Sequence, residues 1–131
     1  MGIILLTMEF SFERLKVWEL SREIVREVYT LTKVFPNDER FGLIDQLRRA
    51  AVSIPSNIAE GSGRKSFKDQ AHFVEIAYGS LMEVCCQLTV AVDLLYISSG
   101  EIEIVREHIE SLSRQLQSYR RYLIKQSEEP A

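Results

Sequence analysis

The sequence predicts an all-α fold, an antiparallel up-down-up-down four-helix bundle. Three observations carry this. Apolar residues recur at three- and four-residue spacing in four separate segments, the connections between them are short, and no stretch alternates with the two-residue period of a strand. Of the 131 residues, 46% are hydrophobic and 27% charged, which excludes a disordered chain. Six glycines and three prolines are too few for a turn-rich all-β fold. The length fits a single domain over residues 1–131, with 1–8 an extra-bundle N-terminal segment and 126–131 a frayed polar tail.

In the first segment Val17, Ile24, Val28, Leu31 and Phe35 form a stripe in which Ser21 fills the missing place. Ser11 is the expected N-cap and Pro36 the stop. The second stripe is Phe41, Ile44, Leu47, Ala51, Ile54 and Ile58, with Asn37 or Asp38 as its cap. Pro55 removes a backbone hydrogen bond, yet the spacing continues in phase. This predicts a helix kinked near Pro55, or a restart capped by Ser53, ending at Gly61-Ser62-Gly63. The third segment opens on Ser66-Phe67-Lys68-Asp69, a capping-box pattern with Asp in the Glu place. Val74, Leu81, Leu88 and Leu95, with Ala77, Val84 and Ala91 alongside, predict a long helix over 67–97. Gly100 marks the next turn, with Ser98 or Ser99 as cap. The fourth stripe, Ile102, Val105, Ile109, Leu112, Leu116, Tyr119 and Leu123, keeps strict 3-4 alternation.

The first and third helices carry apolar residues beyond one seam. Trp18, Val25, Tyr29, Ile76 and Tyr78 are therefore candidates for a subunit interface, against the plainer reading of wide core faces. Adjacent Cys85 and Cys86 do not make an ordinary disulfide and read as reduced core residues of a cytoplasmic protein. No apolar run reaches the ~18 residues of a membrane span, and no membrane is expected as a partner. The short apolar N-terminus lacks the basic start and cleavage site of a signal peptide. Met8 is an alternative to Met1 as the start.

The net charge of −3 does not announce a polyanion binder, but the charges are segregated. Residues 40–68 hold six basic and two acidic residues, 69–110 one basic and eight acidic, and 111–127 four basic and no acidic. Such asymmetry fits a polyanion site or surfaces that complement each other between subunits. Arg48, Arg49, Arg64, Lys65 and Lys68 are the candidate phosphate contacts, with Arg120, Arg121 and Lys125 as an extension. Gly61-Ser62-Gly63-Arg64-Lys65-Ser66 precedes a helix N-terminus that could hold an anion, or is a solvated turn.

No catalytic constellation stands out, and no cofactor is implied. His72 and His108 are isolated; Asp69-x-x-His72 is half of a di-iron pattern and Val105 stands three places before His108. No zinc spacing is present, so no metal is expected. Asn57 and Glu60, near the proline, read as groups that satisfy freed backbone or one another, or as a small polar site there.

The run Arg48-Arg49-Ala50-Ala51-Val52-Ser53-Ile54-Pro55-Ser56-Asn57-Ile58-Ala59-Glu60-Gly61 resembles the signature of the 23S rRNA intervening-sequence proteins. Phe12-Glu13-Arg14-Leu15-Lys16-Val17-Trp18, Phe41-Gly42-Leu43, Gly63-Arg64-Lys65-Ser66 and Ala77-Tyr78-Gly79-Ser80-Leu81-Met82-Glu83 also fit, so the resemblance spans residues 9–125. It implies a four-helix bundle that assembles as a ring-like homopentamer with no enzymatic activity. The related accessory variability proteins of diversity-generating retroelements act with a reverse transcriptase and nucleic acid, and are strongly basic. Because this chain is acidic, contact with RNA or DNA would fall to the local basic patch. Two functions are then expected: a non-enzymatic homo-oligomeric adaptor that binds RNA or DNA weakly, with or without a protein partner beside it, or a protein-interaction scaffold without nucleic acid.

Overall fold

The structure, a computed structural model, describes residues 10–129. Four long helices carry it: α1 Lys16–Thr32, α2 Leu43–Ser62, α3 Phe67–Asp93 and α4 Glu103–Glu128. Short 3-10 turns lie at Ser11–Arg14 and Asn37–Glu39, and no strand occurs among the described residues. Helix α1 lies beside α2 and α4, and α3 beside the same two, while the backbones of the diagonal pairs do not come close. Cross-helix partners run in opposite register. Gln46 faces Gln87 while Ser53 faces Ser80, and Tyr78 faces Gln117 while Glu75 faces Arg120. On the remaining side Leu31 lies near Glu101 and Ile104, and Val17 near Gln115 and Tyr119. Each helix is therefore antiparallel to α-helical neighbours on both sides.

The stripes face one core. Ile24, Val28, Leu47, Ile54, Ile58, Leu81, Val84, Leu88, Leu112, Leu116 and Leu123 are all buried. Burying each such side chain is worth about 1.5–3 kcal/mol, so the core supplies the main driving force. Two polar residues share it without penalty. The Ser21 hydroxyl donates to the Trp18 carbonyl (2.7 Å) and that of Thr32 to the Val28 carbonyl (2.8 Å).

Helix ends depart from expectation. Ser11 does not cap α1; it opens a 3-10 turn, and Leu15 stands at the N-cap. Neither Asn37 nor Asp38 caps α2. Gly42 occupies that place, and the Glu39 carboxylate reaches forward to accept from the Leu43 N–H (3.0 Å). With α2 starting two residues later, Phe41 leaves the stripe and is 87% exposed. Ser66 does cap α3, accepting from the Asp69 N–H at 3.0 Å. That helix stops at Asp93, short of residue 97, so Leu95 leaves the stripe as well. Leu95 has φ 66°, a left-handed conformation that costs a residue with a Cβ about 1–2 kcal/mol. At the other end of the chain the tail expected to fray is helical as far as Glu128, while the expectations for 1–8 and 130–131 fall outside the described residues.

Pro55 lies inside an unbroken α2, so no restart occurs at Ser53. Beside it, the Asn57 amide donates to the Ser53 carbonyl (2.8 Å) and hydroxyl (2.9 Å), and that hydroxyl meets the Ser80 hydroxyl at 2.9 Å. Asn57 thus helps tie α2 to α3. It does not reach the Ala51 carbonyl, the group that loses its donor to the proline. Near the end of α2, Gly61 is buried against α3; a Cβ there would sit 2.7 Å from the Phe73 Cβ and 3.3 Å from the Gln70 carbonyl oxygen.

Helix α3 is long and apolar enough, by length and composition, to cross a bilayer, a feature missed by counting uninterrupted apolar residues. Here Ala71, Val74, Ala77, Leu81, Val84, Leu88 and Ala91 face the core. The cysteines are not both core residues: Cys85 is half-buried and Cys86 exposed.

The loops at 33–42 and 94–102 are pinned together. The Tyr96 hydroxyl donates to Glu39 (2.7 Å), and the Tyr96 and Phe35 rings lie 5.4 Å apart. The Leu43 N–H and then the Tyr96 hydroxyl hold the Glu39 carboxyl below its ordinary value; in turn the Tyr96 phenol is pushed up, first by that hydrogen bond. A carboxyl held low in the folded state adds stability that is present above its unfolded value and lost as pH falls through the folded one. Acidification from about pH 6 to about pH 3 is therefore expected to lower the melting temperature of the wild-type chain more than that of Glu39→Gln. An equal drop in both would remove Glu39 from the acid response.

Candidate nucleic-acid interface

The candidate cations fall into two groups. Arg48 and Arg49 sit in the second turn of α2, while Arg64, Lys65 and Lys68 occupy the α2–α3 turn and the first turn of α3. Arg64 follows Arg49 by fifteen positions, nearly all of them helical, about 22 Å at the helical rise. They do not form one continuous patch.

Most of the arginines are engaged within the chain. Arg48 is half-buried: its guanidinium lies 4.5 Å from the centre of the Tyr29 ring and its Nε donates to the Thr32 hydroxyl at 2.9 Å. Together with Arg49, Asp45, Val52, Ser53 and Ser56 it lines a shallow recess between α1 and α2. Arg49 is exposed and pairs with Asp45 (2.9 Å). Arg64 pairs with Glu60 (2.7 Å) and lies over the Phe73 ring at 4.6 Å. Arg120 pairs with Glu75 (2.9 Å), and its buried Nε has no hydrogen-bond partner. Asn57 and Glu60 are not brought together: one belongs to the Ser53–Ser80 contact, the other to Arg64.

Lys65, Lys68 and Arg121 are exposed, and no ion pair engages them among the described residues. Lys65 and Lys68 line a recess between the start of α3 and the end of α4, with Ser66, Phe67, Gln126 and Ser127; Glu128 and Glu129 also border it. Residues 59–70 and 118–129, which meet at this end, hold six basic and four acidic side chains. The opposite end, residues 30–45 and 90–107, holds three basic and seven acidic ones. The bundle is charge-polarised along its length.

The candidate interface residues also divide. Trp18 is half-buried, with Phe12 against its edge (ring centres 4.9 Å) and Arg22 over its face (4.6 Å). Val25 and Tyr78 pack onto the core, and the Tyr78 hydroxyl accepts from the Gln117 amide (3.2 Å). Tyr29 lies under Arg48. Ile76 alone of the five belongs to an exposed stripe of α3, which continues through Gly79, Met82, Cys86 and Val90. Sequence reasoning missed Met82, an apolar residue of the same kind as those on the core-facing lines of α3 and set apart from them only by its exposure.

His108 Nδ1 contacts Glu27 at 2.8 Å across the α1–α4 seam, and His72 is exposed. No group of three or more His, Cys, Asp or Glu among the described residues could hold a metal ion. Burial pushes the Tyr119 phenol up, beside Leu15, Val17 and Tyr122.

No curated protein matches the chain. A crystal structure of a protein of unknown function from the S23 ribosomal protein family of Bacteroides thetaiotaomicron VPI-5482 is similar in fold. It shares 24% identity, with a TM-score of 0.57, over 86% of this chain and 99% of that one. The family model for the 23S rRNA-intervening sequence protein matches residues 13–118, most of the four-helix core, and the chain belongs to that family.

Proposed function

We propose that this chain is a non-enzymatic homo-oligomeric adaptor that binds RNA or DNA weakly and without sequence preference. The observation that carries this reading is the pair of exposed lysines, Lys65 and Lys68, at the net-basic end of the bundle, to which α4 adds the exposed Arg121. Phosphate contacts need charge and reach and read no bases, so little sequence preference follows. The arginines already held by Asp45, Glu60 and Glu75 would contribute less, since each must first give up its partner. Assembly into an oligomer, a pentamer by family resemblance, would repeat the few free cations around a ring and raise the affinity by avidity. The exposed stripe of α3 is the surface that supports such assembly.

Fluorescence anisotropy with labelled structured RNA and duplex DNA tests the reading. Three phosphate contacts give a salt slope of about −2 to −3, so binding should weaken about 20- to 40-fold between ~50 and ~200 mM salt. Joint replacement of Lys65, Lys68 and Arg121 by Ala should abolish it, whereas Arg49→Ala should change little. Binding insensitive to both salt and the triple replacement would overturn the proposal.

The second reading, a protein scaffold without nucleic acid, is favoured by the internal pairing of Arg49, Arg64 and Arg120. Absence of binding at ~50 mM salt, where multi-phosphate contacts are strong, would select it.

A further inference from the structure

The acidic end of the bundle carries a different chemistry. Helix α3 closes there with two hydrogen bonds, Tyr96 N–H to the Ala91 carbonyl and Leu95 N–H to the Val92 carbonyl, each 3.0 Å. This closure places residue 95 in the left-handed region, where helices ordinarily use glycine. The chain has leucine there, at φ 66° and 89% exposed. The strained backbone is thus not repaid by any burial of that side chain within the described residues. Backbone held in such a conformation points to a role outside the fold.

Phe41, Val34 and Leu94 are exposed at the same end. Their supporting loops are fixed to one another by the Tyr96–Glu39 hydrogen bond and the Phe35–Tyr96 ring contact. The apolar side chains therefore stand on a preorganised base, which lowers the cost of binding. Around them the charge is negative: Asp38, Glu39, Asp93, Glu101 and Glu103 against Lys33 and Arg40.

We propose that this end is a docking surface for a basic amphipathic segment of a protein partner. Its aliphatic side chains would cover Leu95 and Phe41, and its Lys or Arg residues would face Asp38, Asp93, Glu101 and Glu103. The acidic surround has the wrong sign for a phosphate backbone or an anionic bilayer. The surface is at the opposite end from Lys65 and Lys68, so it stands or falls apart from the nucleic-acid reading.

The test uses the full chain and two labelled helical peptides of about 18 residues, long enough to fold. One carries a Leu face and a Lys face, the other Leu and Glu. Micromolar binding of the Leu–Lys peptide is expected, weakened about tenfold or more in Leu95→Gly/Phe41→Ser, the loss typical of a truncated anchor. Asp93→Lys, which leaves both anchors in place, should weaken it as well. The Leu–Glu peptide should not bind. The proposal is overturned by no binding of the Leu–Lys peptide, by equal binding to the double variant, or by equal binding of both peptides. It is also overturned if the double variant changes the oligomeric mass, which would assign the surface to a second copy, or abolishes binding to anionic vesicles.

Discussion

Gly61→Val should destabilise the fold by about 2–3 kcal/mol, the range for overpacking a tight contact. Removing a helical glycine ordinarily stabilises by up to about 1 kcal/mol. Here the sign reverses, because a Cβ at Gly61 would stand 2.7 Å from the Phe73 Cβ and 3.3 Å from the Gln70 carbonyl. Neither atom belongs to a flexible side-chain end, so relief requires α2 and α3 to part. Parting them would also disturb Arg64, which stacks on the Phe73 ring and accepts at its carbonyl from the Gln70 amide. Gly79 is the matched control. A Cβ there meets nothing within 4 Å, so Gly79→Ala should stabilise the monomer by close to the full helix-propensity increment. Urea denaturation midpoints for the two variants, measured in solution dilute enough to keep the chain monomeric, should move in opposite directions. A Gly61→Val chain as stable as wild type would show that the α2–α3 contact yields easily.

In sedimentation, Ile76→Asp/Val90→Asp should behave as a monomer where the wild-type chain behaves as an oligomer. Both side chains are exposed on α3, so the change should alter monomer stability by no more than about 0.5 kcal/mol at each site. Within an interface between copies, each unpaired charge would cost several kcal/mol. Melting in dilute solution separates the two effects: the fold should survive and the assembly should not. A wild-type chain that is already monomeric at high concentration would overturn the proposed assembly, and an oligomer untouched by the variant would place its interface elsewhere.

The helical stripes were legible because burial repeats with helical period, and Leu47, Ile54 and Ile58 or Val105, Ile109, Leu112 and Leu116 lie where the spacing puts them. Helix ends were less so. Glu39 caps α2 from four residues away while also holding Tyr96 across the loops, a contact spanning 57 positions that no local pattern encodes. Phe41 and Leu95 continue their stripes in sequence, but the helices stop before reaching them. At the candidate interface, the residue types were legible and their engagement was not. Arg48 and Lys65 look alike as cations in the sequence, and only the fold shows that one rests on Tyr29 while the other is exposed.

The order of contacts around the bundle also bears on how it forms. Three of its four seams join helices that follow one another along the chain; only the α1–α4 seam joins the two ends. A topology of mostly local contacts has low contact order and folds fast, within microseconds to milliseconds. The α2–α3 hairpin closes the shortest loop, with Gly61 buried against α3 beside it, so it is the natural nucleus. The α1–α4 seam closes the longest loop, which places the Glu27–His108 contact last in assembly and among the first to open in native-state hydrogen exchange.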